Sequence, residues 1–173
     1  RDNTAEISGG AGCIGTASNI LESNSEESLT NVIITGNEAI INDNDSHLGG
    51  ILLFFCNPIL QNVTISDNNA ATRSGGLTLF GANPVIINTI ISQNSPDSIE
   101  LFITENEDYN SNPTITYSNI QGDNTWAGNG NINLDPLFTD PDNGDYTLQP
   151  TSPCIDSGTA DINGDGFEDM TDY

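Results

Sequence analysis

A chain that repeats one short apolar segment at regular intervals must find a fold in which equivalent segments stack, and this chain repeats such a segment three times. Asn31-Val-Ile-Ile-Thr-Gly-Asn37, Asn62-Val-Thr-Ile-Ser-Asp-Asn68 and Asn88-Thr-Ile-Ile-Ser-Gln-Asn94 match position by position, and Tyr117-Ser-Asn-Ile-Gln-Gly-Asp123 is a degenerate fourth copy. A second strand type recurs at Gly49-Gly-Ile-Leu-Leu-Phe54 and Gly75-Gly-Leu-Thr-Leu-Phe80, with Gly9-Gly10-Ala11 opening an earlier copy. A third marker, Asn-Pro, stands five residues ahead of the next first-type strand at Asn57-Pro58, Asn83-Pro84 and Asn112-Pro113. The markers keep their order with a period of 26 to 31 residues, the signature of a solenoid in which one unit makes one turn.

The runs are β-branched and short, Asn, Gly, Asp and Ser fill the gaps, and no stretch sustains a helical period. Two or three short strands per unit without a helix specify a parallel β-helix, whose coils stack about 4.8 Å apart with like positions superposed. Residues from about Ile7 to Gly122 are expected to make roughly four coils. Ile33 or Ile34, Ile65 and Ile91 should share an interior column. Asn37, Asn68 and Asn94, with Asp123 next in line, should form a structural column at a turn, since stacked amides hydrogen-bond between coils and tolerate left-handed backbone. Insertions at residues 41–47 and 105–111 enlarge two coils.

Charge narrows the function. Twenty-five acidic residues face two basic ones, Arg1 and Arg73, for a net charge of −23 over 173 residues. Nucleic acid and anionic membrane surfaces are excluded as partners, because both need clustered Lys and Arg. No apolar run is long enough to span a membrane. The chain opens on Arg1-Asp2-Asn3 without a methionine or a signal peptide, and is expected to be processed or excised. Cys13, Cys56 and Cys154 show no metal-site spacing. They read as buried free thiols or, alternatively, as a Cys13–Cys56 bridge with Cys154 left over.

From Tyr117 onward, Asn131-Ile132-Asn133-Leu134-Asp135-Pro136-Leu137-Phe138 and Ser152-Pro153-Cys154-Ile155-Asp156-Ser157-Gly158 stand in order. They resemble the C-terminal region of bacterial right-handed parallel β-helix surface proteins. The resemblance implies an all-β, right-handed coil over residues 1–122 and a C-terminal cap over residues 123–173 of the same domain. Trp126 and Cys154 then become packing residues at the end of the coil. It also implies a secreted or cell-surface location and adhesin-like roles. The closing Gly-Ala-Tyr-Glu type strand of that group is missing before Tyr173, so the chain is expected to be a fragment, or to have ends that are disordered or docked on a neighbour.

One motif carries specific chemistry. Asp161, Asn163, Asp165, Asp169 and Asp172 occupy positions one, three, five, nine and twelve of a calcium loop, with the Phe167 carbonyl at seven and Gly166 at the sharp turn. The loop resembles the dockerin type, with Asp in place of Glu at the end. The looser cluster of Asp140, Asp142, Asn143 and Asp145 reads as a turn-rich loop.

Catalysis is poorly provided for. A lyase needs a cationic base, for which Arg73 is the candidate inside the repeats. A hydrolase needs paired acids on adjacent coils, whereas Gly36 and Gln93 flank Asp67 in its column. His47 is single and sits in a polar insertion. The expectation is a non-catalytic structural or adhesive protein, calcium-stabilised and associating end to end with copies of itself or a neighbouring surface protein. The alternative is an extracellular glycan-binding module using Tyr109 and Tyr117 as sugar-stacking rings, with polysaccharide cleavage behind it.

Overall fold

The computed structural model describes Thr4–Ala5, Ala11–Ile14, residues 28–39, residues 49–166 and Glu168. They form a parallel β-solenoid. Its first sheet holds β2 (Ala11–Ile14), β6 (Ile51–Phe54), β10 (Leu77–Phe80) and β13 (Ile99–Leu101). The second holds β3 (Ser28–Thr30), β7 (Ile59–Gln61), β11 (Val85–Ile87) and β14 (Thr114–Thr116), and the third β4 (Ile33–Thr35), β8 (Thr64–Ser66), β12 (Ile90–Ser92) and β15 (Asn119–Ile120). A narrow fourth sheet joins β1 (Thr4–Ala5), β5 (Glu38–Ala39) and β9 (Asn69–Ala70), a strand that the repeat does not suggest, and it fades to a single bridge at Ser95. Four rungs per long sheet enclose about three full turns, slightly fewer than the four coils expected. The hairpin β16 (Phe138–Asp140) and β17 (Asp145–Leu148) is the antiparallel exception.

The register explains the core. Ile34, Ile65, Ile91 and Ile120 pair rung to rung and are buried, while Ile33 points outward at 48 % exposure. Leu29, Leu60, Ile86 and Ile115 stack in the second sheet, and Leu53, Leu79 and Leu101 in the first. Each fully buried aliphatic of these columns contributes about 1.5–3 kcal/mol. Glycines 50 and 76 open the first-sheet strands because a side chain there would strike the carbonyl of the next coil, 2.2 and 2.1 Å from the Cβ position.

Polar columns tie the coils at the corners. Asn37 Nδ2 donates to Asn68 Oδ1 at 2.7 Å, and Asn68 Nδ2 donates to Asn94 Oδ1 at 3.0 Å. The backbone N–H groups of Asn37 and Asn68 donate to the same two oxygens. The left-handed residue at this corner is the one before each asparagine, Gly36, Asp67 or Gln93, which corrects the expectation that the column itself takes that conformation. Asp123, one coil beyond Asn94, is exposed and carries no further amide. A second column runs through the Asn-Pro marker, where Asn83 N–H donates to Asn57 Oδ1 and Asn112 N–H to Asn83 Oδ1, both at 2.6 Å. At a third corner, Asn31, Asn62, Asn88 and Tyr117 are all left-handed.

Cys56 is disulfide-bonded, which overturns the free-thiol reading at that position: it is buried beside the core, where a second thiol can reach it. The side chain of Cys13, the partner in the alternative pairing, lies outside the described residues. Among the described residues no helix is long and apolar enough to cross a membrane.

Candidate functional site

Beyond the last coil the chain becomes its own next rung. Ile132 N–H donates to Ser118 O, Ile120 N–H donates to Ile132 O, and Asn119 bridges to Ile132 in parallel. Across the coils, Val63 N–H donates to Thr89 Oγ1, Thr89 N–H to Ser118 Oγ and Ser118 N–H to Asn131 Oδ1. Asn131 therefore stands where a further coil would place its polar side chain. Its amide also reaches Ile115 O at 2.8 Å and Trp126 O at 3.2 Å. Asn129 O accepts Tyr117 N–H, and Asn133 exchanges two bonds with the Gly122 backbone. The alternating asparagines of residues 129–133 satisfy backbone groups that a bare last coil would leave open.

The segment that follows turns back along the stack. Asn119 Nδ2 donates to Leu134 O and to the Cys154 thiol. Asn88 exchanges two 2.8 Å bonds with the Thr159 backbone, and Tyr146 Oη donates to Asp67 Oδ2 at 2.7 Å. Three successive coils are thus held by one segment. Cys154 is free, and burial pushes its pKa up against the opposing hydrogen bond from Asn119. In the hairpin, Asn143 Nδ2 donates to both oxygens of Asp140, and the Thr147 hydroxyl and N–H hold the Asp145 carboxyl below its ordinary pKa. That acidic cluster is a turn, as its spacing indicates.

The loop after Thr159 folds around its first acid. Asp161 Oδ1 accepts the N–H groups of Gly164 and Asp165, and Oδ2 accepts that of Gly166 at 2.9 Å. Asn163 Oδ1 accepts Asp165 N–H, while Asn163 Nδ2 donates to Asp165 Oδ2. Gly164 and Gly166 take positive φ, which only glycine adopts without strain. Phe167, Asp169 and Asp172 lie outside the described residues. Among the described residues, no three His, Cys, Asp or Glu side chains converge as a metal group. Asp161, Asn163 and Asp165 are the members of the expected ligand set among the described residues.

The two tyrosines named as sugar-stacking rings are separate. Tyr109 packs edge-on against Phe55 at 5.3 Å, within an aromatic corner that includes Phe54, Phe80 and Phe102. Tyr117 lies under the cap, where its hydroxyl accepts the Asn129 amide and its ring abuts Gly130. Arg73 is engaged: its guanidinium bonds Glu100 at 2.7 Å and lies 4.2 Å from the Phe102 centroid. His47 lies outside the described residues.

Sequence reasoning passed over a cleft of 550 Å³ between residues 94–99 and residues 121–126. Trp126, Pro96 and Ile99 line it together with Asp97, Asp123 and Asn124. The available signal was the alignment of Asn94 with Asp123 one coil on, which brings the two following loops side by side. Comparison with known proteins found no matching family model, curated protein or solved structure.

Proposed function

We propose that this chain is a secreted or cell-surface solenoid that acts as a structural or adhesive rod without catalysis, and that calcium binding stabilises it. The observation that carries this reading is the C-terminal segment, which supplies the last coil with a rung at Ile132 and then ties back to Asn119, Asn88 and Asp67. Such a tie resists fraying of the coils and contributes nothing to turnover. The engagement of Arg73 by Glu100 supports the same reading, since a lyase would need that cation available. With β15 paired to Ile132, we place self-association at the other end of the stack or on its sides.

Calcium enters through the loop of residues 161–172. Hard cations take oxygen ligands, and Asp161, Asn163 and Asp165 supply them on a loop already tightened by two glycines. Phe167 O, Asp169 and Asp172 complete the proposed set. The loop begins two residues after Thr159, which Asn88 holds, so ordering it secures the tie. Calorimetry tests this: calcium should bind, and Asp161→Ala with Asp165→Ala should abolish binding. At about one hundred times Kd, calcium should add about 2.7 kcal/mol of stability. Binding that survives the double change would put the site elsewhere. Cleavage of pectin, alginate or chitin fragments that disappears with Arg73→Ala would overturn the non-catalytic reading.

A further inference from the structure

We propose that the cleft between residues 94–99 and residues 121–126 is a binding site for a neutral, hydroxyl-rich glycan. The inference stands apart from the calcium loop and gives the adhesive role a ligand class. Its volume of 550 Å³ falls within the range of about 300–1,000 Å³ usual for small-ligand sites, enough for one or two sugar rings.

The lining pairs the two kinds of surface that a sugar presents. Trp126, Pro96 and Ile99 offer apolar surface for the C–H face of a pyranose. Asp97, Asp123 and Asn124 offer acceptors and an amide for its hydroxyls. The carboxylates of Asp97 and Asp123 and the amide of Asn124 are exposed and make no hydrogen bond among the described residues, so they are not committed to holding the fold.

The backbone beneath them is committed. On one wall, Ser95 N–H donates to Asn68 O, Gly76 N–H to Asp97 O and Leu77 N–H to Ser98 O. On the other, Gly122 is held by Asn133, and Trp126 packs against the core. The walls are thus fixed by backbone bonds, and binding has only the three exposed side chains to order, at about 0.5–1.5 kcal/mol each.

Charge selects the class of glycan. Among the described residues no Lys, Arg or His lines the cleft, and two carboxylates do, in a chain of net charge −23. Uronates and sulfated sugars are repelled there. Neutral hexose or N-acetylhexosamine units are not, and carboxylates are strong acceptors for their hydroxyls.

The chain has a single tryptophan beside four tyrosines, so emission excited selectively at tryptophan reports on the surroundings of Trp126. A neutral glycan array selects the sugar. The emission is then titrated with the matching tetrasaccharide, with tetragalacturonate and, in a chain carrying Asp161→Ala with Asp165→Ala, with calcium chloride alone. The expected result is a saturable shift with the neutral sugar, a Kd below about 1 mM, and silence with the other two. Asp97→Asn with Asp123→Asn should weaken binding about tenfold or more, with an unchanged melting temperature. Asn124→Ala, at an exposed position, should also weaken it. An array without a neutral hit overturns the proposal, as does an affinity within about twofold in the double variant. Saturation of the same signal by tetragalacturonate or by calcium overturns it too, the latter showing a cation site. None of these outcomes bears on calcium at Asp161.

Discussion

At the scale of single residues, the side chain of Asn68 gathers four hydrogen bonds. Its oxygen accepts from the backbone and amide of Asn37, and its nitrogen donates to Ile34 O and Asn94 Oδ1. It is buried, so Asn68→Ala would strand several polar groups away from water. Each stranded group costs about 1–3 kcal/mol, and the substitution should destabilise by about 3–5 kcal/mol in urea denaturation. A loss below about 1 kcal/mol would mean that water replaces the amide. The alignment of Asn37, Asn68 and Asn94 is legible in the sequence, because three copies match residue for residue. Which neighbour bends left is not. Asp67 tolerates the left-handed region but Gln93 does not favour it, and both take it ahead of an asparagine held in the buried ladder. Asn88 makes the same point. In sequence it is equivalent to Asn62, which donates to Asn31, yet it turns to Thr159 because the chain returns there.

Among the elements, the cap shows how a repeat can end without an exposed edge. Asn131 accepts Ser118 N–H and donates to Ile115 and Trp126 carbonyls, uniting the last coil with its cover. Asn131→Ala should therefore cost about 2–3 kcal/mol. Amide exchange should rise at Ser118 and Ile120, and leave Ile65 in the stack interior unchanged. Uniform exchange along the solenoid would show that the cap is not a separate unit. A cap over residues 123–173 was expected from the resemblance carried by Asn131–Phe138 and Ser152–Gly158. Its function as a rung was not legible, since no strand propensity marks residues 129–133, and only the column of Val63, Thr89 and Ser118 gives Asn131 its place. The aromatic corner is similar. Phe54 and Phe80 occur in matching repeats and stack at 4.9 Å, but Tyr109 joins them from an insertion that no repeat predicts.

For the whole molecule, charge and stacking oppose each other. A net charge of −23 repels itself, and coils about 4.8 Å apart bring equivalent side chains close. Raising sodium chloride from about 10 mM to about 150 mM shortens the Debye length from about 30 Å to about 8 Å and should raise the denaturation midpoint. A flat response would mean that the carboxylates are already well separated. What the sequence determined by itself was the coil: a period, three marker types and interior aliphatic columns leave few other ways to bury apolar surface in a chain without helical patterning. Tertiary structure decided the rest, namely the path of the C-terminal segment back over Asn119, Asn88 and Asp67, the engagement of Arg73, and the meeting of Asp97, Asp123 and Trp126 around one cleft. The physical reason is range. Periodicity encodes contacts between equivalent positions of neighbouring coils, whereas these contacts join residues that are not equivalent, and nothing local marks either partner.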